Sequence, residues 1–169
     1  MINRRWLGAS LAILLVAAAC TGDDGDASDD FLSYFEQVEQ IIIDLQETNQ
    51  GLPQTTDIES ARIFFAAVNP AAETALDQLS SLIPPDGAQA SHDRLVELRG
   101  QYLALNQDIA ERLDIIETTE EFTSLASDQE LGIQPQNDLG DQVQAACKDH
   151  QAVADSEGID VSLRCDTTG

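Results

Sequence analysis

Between Phe31 and Val153, apolar side chains recur at alternating spacings of three and four residues, in long runs broken by Pro- and Gly-containing stretches. That spacing puts them on one face of an α-helix and is incompatible with the period of two that a half-buried strand needs. A chain written this way can hide its apolar stripes only by packing helix against helix. The expected fold is all-α: an antiparallel bundle of about four main helices, spanning residues 29–169 as one domain.

The first helix is expected from Asp29 to about Asn49, with Phe31, Phe35, Val38, Ile42 and Leu45 on its buried face. Ser28 or Asp29 is placed to cap it, and Gly51-Leu52-Pro53 to end it. The second opens at Thr56, with Glu59 at capping-box spacing. It then carries Ile58, Ala61, Phe65, Val68, Ala72, Ala75, Leu79 and Leu82 in unbroken phase as far as Pro84-Pro85-Asp86-Gly87. Pro70 falls inside this pattern. A proline removes one backbone hydrogen bond and clashes with the preceding turn. The apolar phase is the same on both sides, which favours one helix kinked at Pro70 over two helices meeting there. The third and longest helix runs from about Gly87 to Glu117, with Leu95, Leu98, Tyr102, Leu105, Ile109, Leu113 and Ile116 as its stripe. Thr118 and Glu121 form a further capping box for a short helix through Phe122 and Leu125. Residues 127–136 read as a loop. The last helix is expected from Asn137 or Asp138, with Leu139, Val143, Ala146, His150 and Val153 on one face and Gly158 closing it. Ile159, Val161 and Leu163 then alternate as an extended tail.

The N-terminus is of a different kind. Met1 to Arg5 is basic, and Trp6 to Ala19 is apolar or small throughout. Val16-Ala17-Ala18-Ala19 runs straight into Cys20, after which the chain turns acidic. This is the layout of a secretory signal. The small residues ending at a cysteine resemble the lipobox of bacterial lipoproteins, with Ala17 where that pattern usually has Leu. The resemblance implies a signal peptide over 1–19, cleavage before Cys20, lipid (palmitate among the acyl chains) on Cys20, and a protein held extracytoplasmically at the bacterial cell membrane. An ordinary signal peptide with an incidental cysteine and an uncleaved anchor are the alternatives. The apolar run is short for the latter, since a span takes about 20 residues. Arg4-Arg5-Trp6-Leu7 also partly resembles a twin-arginine export signal. Residues 20–28 then form the lipidated cysteine and an acidic flexible tether. Its eight residues after Cys20 reach roughly 25 Å when extended. A calcium loop is not spelled there, because no Asp-x-Asp-x-Asp-Gly order is present.

For an exported chain, the two further cysteines, Cys147 and Cys165, read as a disulfide that pins the tail to the last helix. Cys147-x-x-His150 has ligand-like spacing, but a zinc site needs three or four ligands, so no metal is expected.

The chain has 8 Lys plus Arg against 31 Asp plus Glu, a net charge of −23. Loss of residues 1–19 would remove Arg4 and Arg5 and leave −25. Such a surface excludes nucleic acid as a partner, which is gripped by clustered cations. It suits a saline habitat and equally a protein or cationic partner. The membrane enters through the anchor on Cys20.

No catalytic residue is assigned and no cofactor is expected. The sequence has no phosphate loop, dinucleotide fingerprint, nucleophile elbow or Glu-x-x-His pair. His92, between Ser91 and Asp93, is expected at the surface or in a local hydrogen bond. His150 is expected as a satisfied core histidine, and Glu117, Glu120 and Glu121 as a solvated turn. Cys147 to Cys165, with His150, Ala154-Asp155, Gly158-Ile159, Val161 and Leu163 between, resembles the C-terminal end of uncharacterised helical lipoproteins of high-GC bacteria. That resemblance covers about 20 residues and carries no activity. The leading expectation is a non-enzymatic binding or accessory interaction module. The alternatives are a carboxylate-based cation or small-solute binder and a carboxylate-dependent hydrolase.

Overall fold

The computed structural model describes residues 26–165, and within them the chain is all-helical. Four long helices, α1 (Asp26–Gln50), α2 (Ile58–Ser81), α3 (Gln89–Ile115) and α5 (Ile133–Ser156), form the expected bundle, and the short α4 (Thr119–Ala126) links α3 to α5. α3 packs against both α2 and α5, and α1 packs against α2.

The element boundaries moved where capping chemistry outweighed the apolar pattern. α1 begins at Asp26, so the last three residues assigned to the tether are helical. Asp29 and Asp30 in its opening turns suit the positive end of the helix dipole. The cap of α2 is Asp57 rather than Thr56. Its carboxylate accepts from the Ser60 amide at 2.8 Å, and Ser60 Oγ accepts from the Asp57 amide at 3.0 Å. The box at Thr118 and Glu121 forms as expected at the start of α4. α5 starts at Ile133 rather than near Asn137, which shortens the loop expected over 127–136. Pro135 is the third residue of α5, where its missing N–H would have had no partner within the helix. Gly132 precedes α5, where a Cβ would run into the Asp128 backbone and force the junction to shift.

α2 runs through Pro70 as one helix, with no chain reversal at Asn69-Pro70. Pro70 and Ala66, four residues earlier, are both exposed, so the carbonyl that loses its amide partner faces water.

The core has two parts. The larger joins Phe35, Val38 and Ile42 of α1 to Leu79 of α2, Leu95 and Leu98 of α3, and Val143 and Ala146 of α5. The smaller joins Ala61 and Phe65 of α2 to Ile109 and Leu113 of α3, with Phe122 and Leu125 of α4 against them. Arg62 ties this second cluster together. Its guanidinium donates to the Leu113 carbonyl at 3.0 and 2.8 Å and to the Ile116 carbonyl at 2.9 Å, satisfying carbonyls that the end of α3 leaves open.

The tail is held as the alternation implies. Gly158, at φ +73°, closes α5, with its amide on the Asp155 carbonyl and the Ile159 amide on the Ala154 carbonyl. Ile159 and Leu163 are buried. Gln151 reaches across to the tail, donating to the Val161 carbonyl at 3.0 Å and accepting from the Leu163 amide at 2.8 Å. Cys147 and Cys165 are disulfide-bonded, with Cα atoms 5.6 Å apart.

Candidate functional site

Both histidines are in the core. His150 is there as expected. His92 corrects the expectation of a surface residue, at 4% exposure on the buried face of α3. The partner that draws it in is Tyr34 of α1, 58 residues away. The Tyr34 hydroxyl lies 2.8 Å from His92 Nδ1 and 2.8 Å from His150 Nε2. His150 Nδ1 lies in turn 2.7 Å from Ser91 Oγ, which also donates to the Ala88 carbonyl at 3.0 Å. One proton arrangement uses every contact: His92 Nδ1–H donates to Tyr34, Tyr34 to His150 Nε2, His150 Nδ1–H to Ser91, and Ser91 to Ala88. All four side chains are then neutral, which burial demands. Desolvation pulls His150 down to about 4, with His92 adding to the effect, and lowers His92 against the opposing pull of Asp93. The same burial raises the Tyr34 phenol.

A serine on a histidine invites comparison with a nucleophilic dyad. Here the group behind the imidazole is a neutral phenol rather than a carboxylate, and His150 is a weak base at neutral pH. The Ser91 hydroxyl is committed to its own helix. The four side chains join α1, α3 and α5 through these hydrogen bonds.

The candidate binding site lies elsewhere, between the two core clusters. A cleft of about 530 Å³ opens there, bounded by Leu45 and Val143 from one cluster and Phe64 from the other. This falls in the size range of small-molecule pockets, about 300–1,000 Å³. The middle of α3 forms one wall with Arg99, Tyr102, Leu103 and Asn106. The start of α5 contributes Gln136, Gly140 and Asp141, and the end of α1 contributes Asn49.

Its polar groups are unequally satisfied. Gln136 Nε2 donates to Asn106 Oδ1 at 3.0 Å. Burial raises the Tyr102 phenol, and hydrogen bonding with Asn106 and Gln136 holds the rise back. Arg99 is different. It is half-buried, its Nε is enclosed without an acceptor, and its guanidinium makes no hydrogen bond or ion pair among the described residues. Desolvation lowers it to about 10. Asn49 Oδ1, on the same cleft, is an enclosed acceptor without a donor. An unmatched buried charge is costly, and Arg62 shows how this fold satisfies a guanidinium when the role is structural.

Arg99 was not picked out from the sequence, yet a signal was present. Leu95, Arg99, Tyr102, Asn106, Ile109 and Leu113 also step by four and three. Two strongly polar residues therefore share a face with the buried stripe, and a polar residue facing a core calls for a partner.

Of the other expected positions, Cys20 lies outside the described residues. Glu117, Glu120 and Glu121 are exposed, and Glu121 is held below the usual carboxylate range by the amides it caps. Among the described residues no carboxylate is buried, and no three His, Cys, Asp or Glu side chains are grouped to hold a metal ion. No described helix is long and apolar enough to cross a membrane. Comparison with known protein families, curated proteins and solved structures finds no match to this chain.

Proposed function

We propose that this protein is a lipid-anchored, extracytoplasmic binding module that takes a small organic acid into the cleft between α1, α2, α3 and α5. The observation that carries the binding role is Arg99, a guanidinium on a cleft wall with no acceptor of its own. An incoming carboxylate supplies the missing charge and two oxygens in the planar geometry that guanidinium favours. The apolar walls take the body of the ligand. The location rests on the leader ending at Cys20 and is supported by the Cys147–Cys165 bond, since such bonds persist outside the reducing cytoplasm. Two or more acyl chains on Cys20 would anchor the protein stably without a transmembrane helix.

Two measurements test the two halves of this reading. Mass spectrometry of the mature N-terminus should find a diacylglycerol-modified Cys20, and Cys20→Ser should leave the precursor uncleaved. An unlipidated mature chain starting elsewhere refutes the anchor. Calorimetric titration of the full chain with 3-phenylpropanoate and 4-methylpentanoate should show binding that Arg99→Gln weakens about tenfold or more, the worth of a charge-assisted pair. Absence of binding by every carboxylic acid tried, amino acids included, refutes the cleft's role.

A further inference from the structure

Two groups on the cleft and the charge of the whole molecule bear on what else an acid bound there carries. Asp141 stands on its wall, exposed, while the Nε of Arg99 is enclosed, so opposite charges sit at different depths. They do not neutralise each other: no ion pair joins them. Asn49 Oδ1 is a buried acceptor waiting for a donor. The third feature is the charge of the whole molecule, −23 for the full sequence and −25 once residues 1–19 are lost, whose field disfavours the approach of a free anion.

A simple carboxylate meets Arg99 but leaves the enclosed Asn49 Oδ1 without a donor and brings nothing to the Asp141 charge, and it must approach against that field. A polyanion such as a nucleotide is worse on both counts. A cation is drawn in by the field but then faces Arg99. A molecule with a carboxylate and an ammonium group on one end and an apolar body on the other meets all of these demands. It is neutral overall, so the field does not oppose its entry.

Resting on the acid-binding role of Arg99, we propose that the cleft binds zwitterionic α-amino compounds with apolar side chains. The carboxylate lies against Arg99, the ammonium group is received by Asp141 and Asn49 Oδ1, and the side chain lies among Leu45, Phe64, Val68 and Leu103. Tyr102 and the amides of Asn106 and Gln136 line the same wall and supply neutral polar contacts. The carboxylate end meets Arg99 Nε and the ammonium end meets Asn49 Oδ1, both enclosed without a partner in the free protein, so a compound lacking either end leaves one of them unmatched.

The test is calorimetric titration of the full chain with L-leucine and L-phenylalanine. The comparison ligands are 4-methylpentanoate and 3-phenylpropanoate, which lack the amine, and 3-methylbutylamine and 2-phenylethylamine, which lack the carboxylate. The amino acids should bind about tenfold or more tighter than either truncated set. Asp141→Asn should bring the amino acids down to the level of the acids while leaving the acids unchanged or slightly improved. Asp141 is exposed, so this variant folds. Arg99→Gln should weaken amino acids and acids alike, and its melting temperature without ligand should equal or exceed that of the parent, because an unmatched charge has been removed. Acids that bind as tightly as amino acids, with no effect of Asp141→Asn, overturn the zwitterion assignment and leave the acid-binding cleft standing. Failure of every compound to bind overturns both. Amines that bind more tightly than amino acids overturn the role of Arg99 and with it the proposal.

Discussion

Tyr34→Phe probes the buried network that joins three helices through one hydroxyl. The substitution keeps the ring, and with it the edge-on contacts to Phe35 at 5.0 Å and His150 at 5.6 Å between centroids, so no cavity larger than an oxygen is made. What is lost is both 2.8 Å hydrogen bonds of the hydroxyl. His92 Nδ1 and His150 Nε2 are left facing a hydrocarbon edge, in side chains that are 4% and 0% exposed. A buried polar atom deprived of its partner costs about 1–3 kcal/mol, and two nitrogens at the lower part of that range, about 1–2 kcal/mol each, give an expected loss of about 2–4 kcal/mol. For a chain of this size each kcal/mol lowers the melting temperature by about 2–4 °C, giving a drop of about 5–15 °C. Urea denaturation followed by circular dichroism measures the free energy directly, and an unchanged m-value shows that the compactness of the two end states is unaltered. A loss below about 1 kcal/mol would mean that water replaces the hydroxyl at no cost, and the claim that this network is dry and fastens α1 to α3 and α5 would be wrong.

The same network makes stability depend on acid. His150 binds its proton less readily folded than unfolded, so its contribution is complete above the unfolded value near 6.5 and is lost as pH falls from there toward about 4. The loss amounts to about 3 kcal/mol, with His92 acting in the same direction. Ring-proton NMR should show His150 unprotonated at pH 5.5, and a midpoint near 6.5 would contradict its burial. Gly132→Ala should destabilise by about 1–3 kcal/mol in chemical denaturation, through collision with the Asp128 backbone rather than through φ, which at −85° is ordinary. An unchanged midpoint would show that the α4–α5 junction can yield. Cys165→Ser should cost about 3 kcal/mol by the loop-closure estimate, with helix content retained because the tail lies outside the four long helices. Loss of helical circular dichroism in that variant would make the tail part of the folding nucleus instead.

The helices were legible in the sequence because their determinants are local. The three-four spacing of Phe35, Val38 and Ile42, or of Phe65, Val68, Ala75 and Leu79, requires no knowledge of the partner surface, only that one exists. The Cys147–Cys165 bond and the αL cap at Gly158 were legible for the same reason: both depend on a stretch of about 20 residues around one helix end. Helix starts were less so, since Asp57 and Thr56 are both acceptable caps and only the Ser60 hydroxyl decides between them.

Tertiary structure decided the rest. His92 is as polar as a surface residue, and it is buried because the Tyr34 hydroxyl, from another helix, satisfies it. Arg62 and Arg99 are the same residue on neighbouring helices and cannot be told apart by type. One finds the open carbonyls of Leu113 and Ile116 at a helix end, while the other faces the gap that the two core clusters leave between them. A stripe records that a face is buried. Whether the neighbouring helix brings a side chain, a carbonyl or an open cleft to a given position is set by how the helices cross, which no local spacing contains.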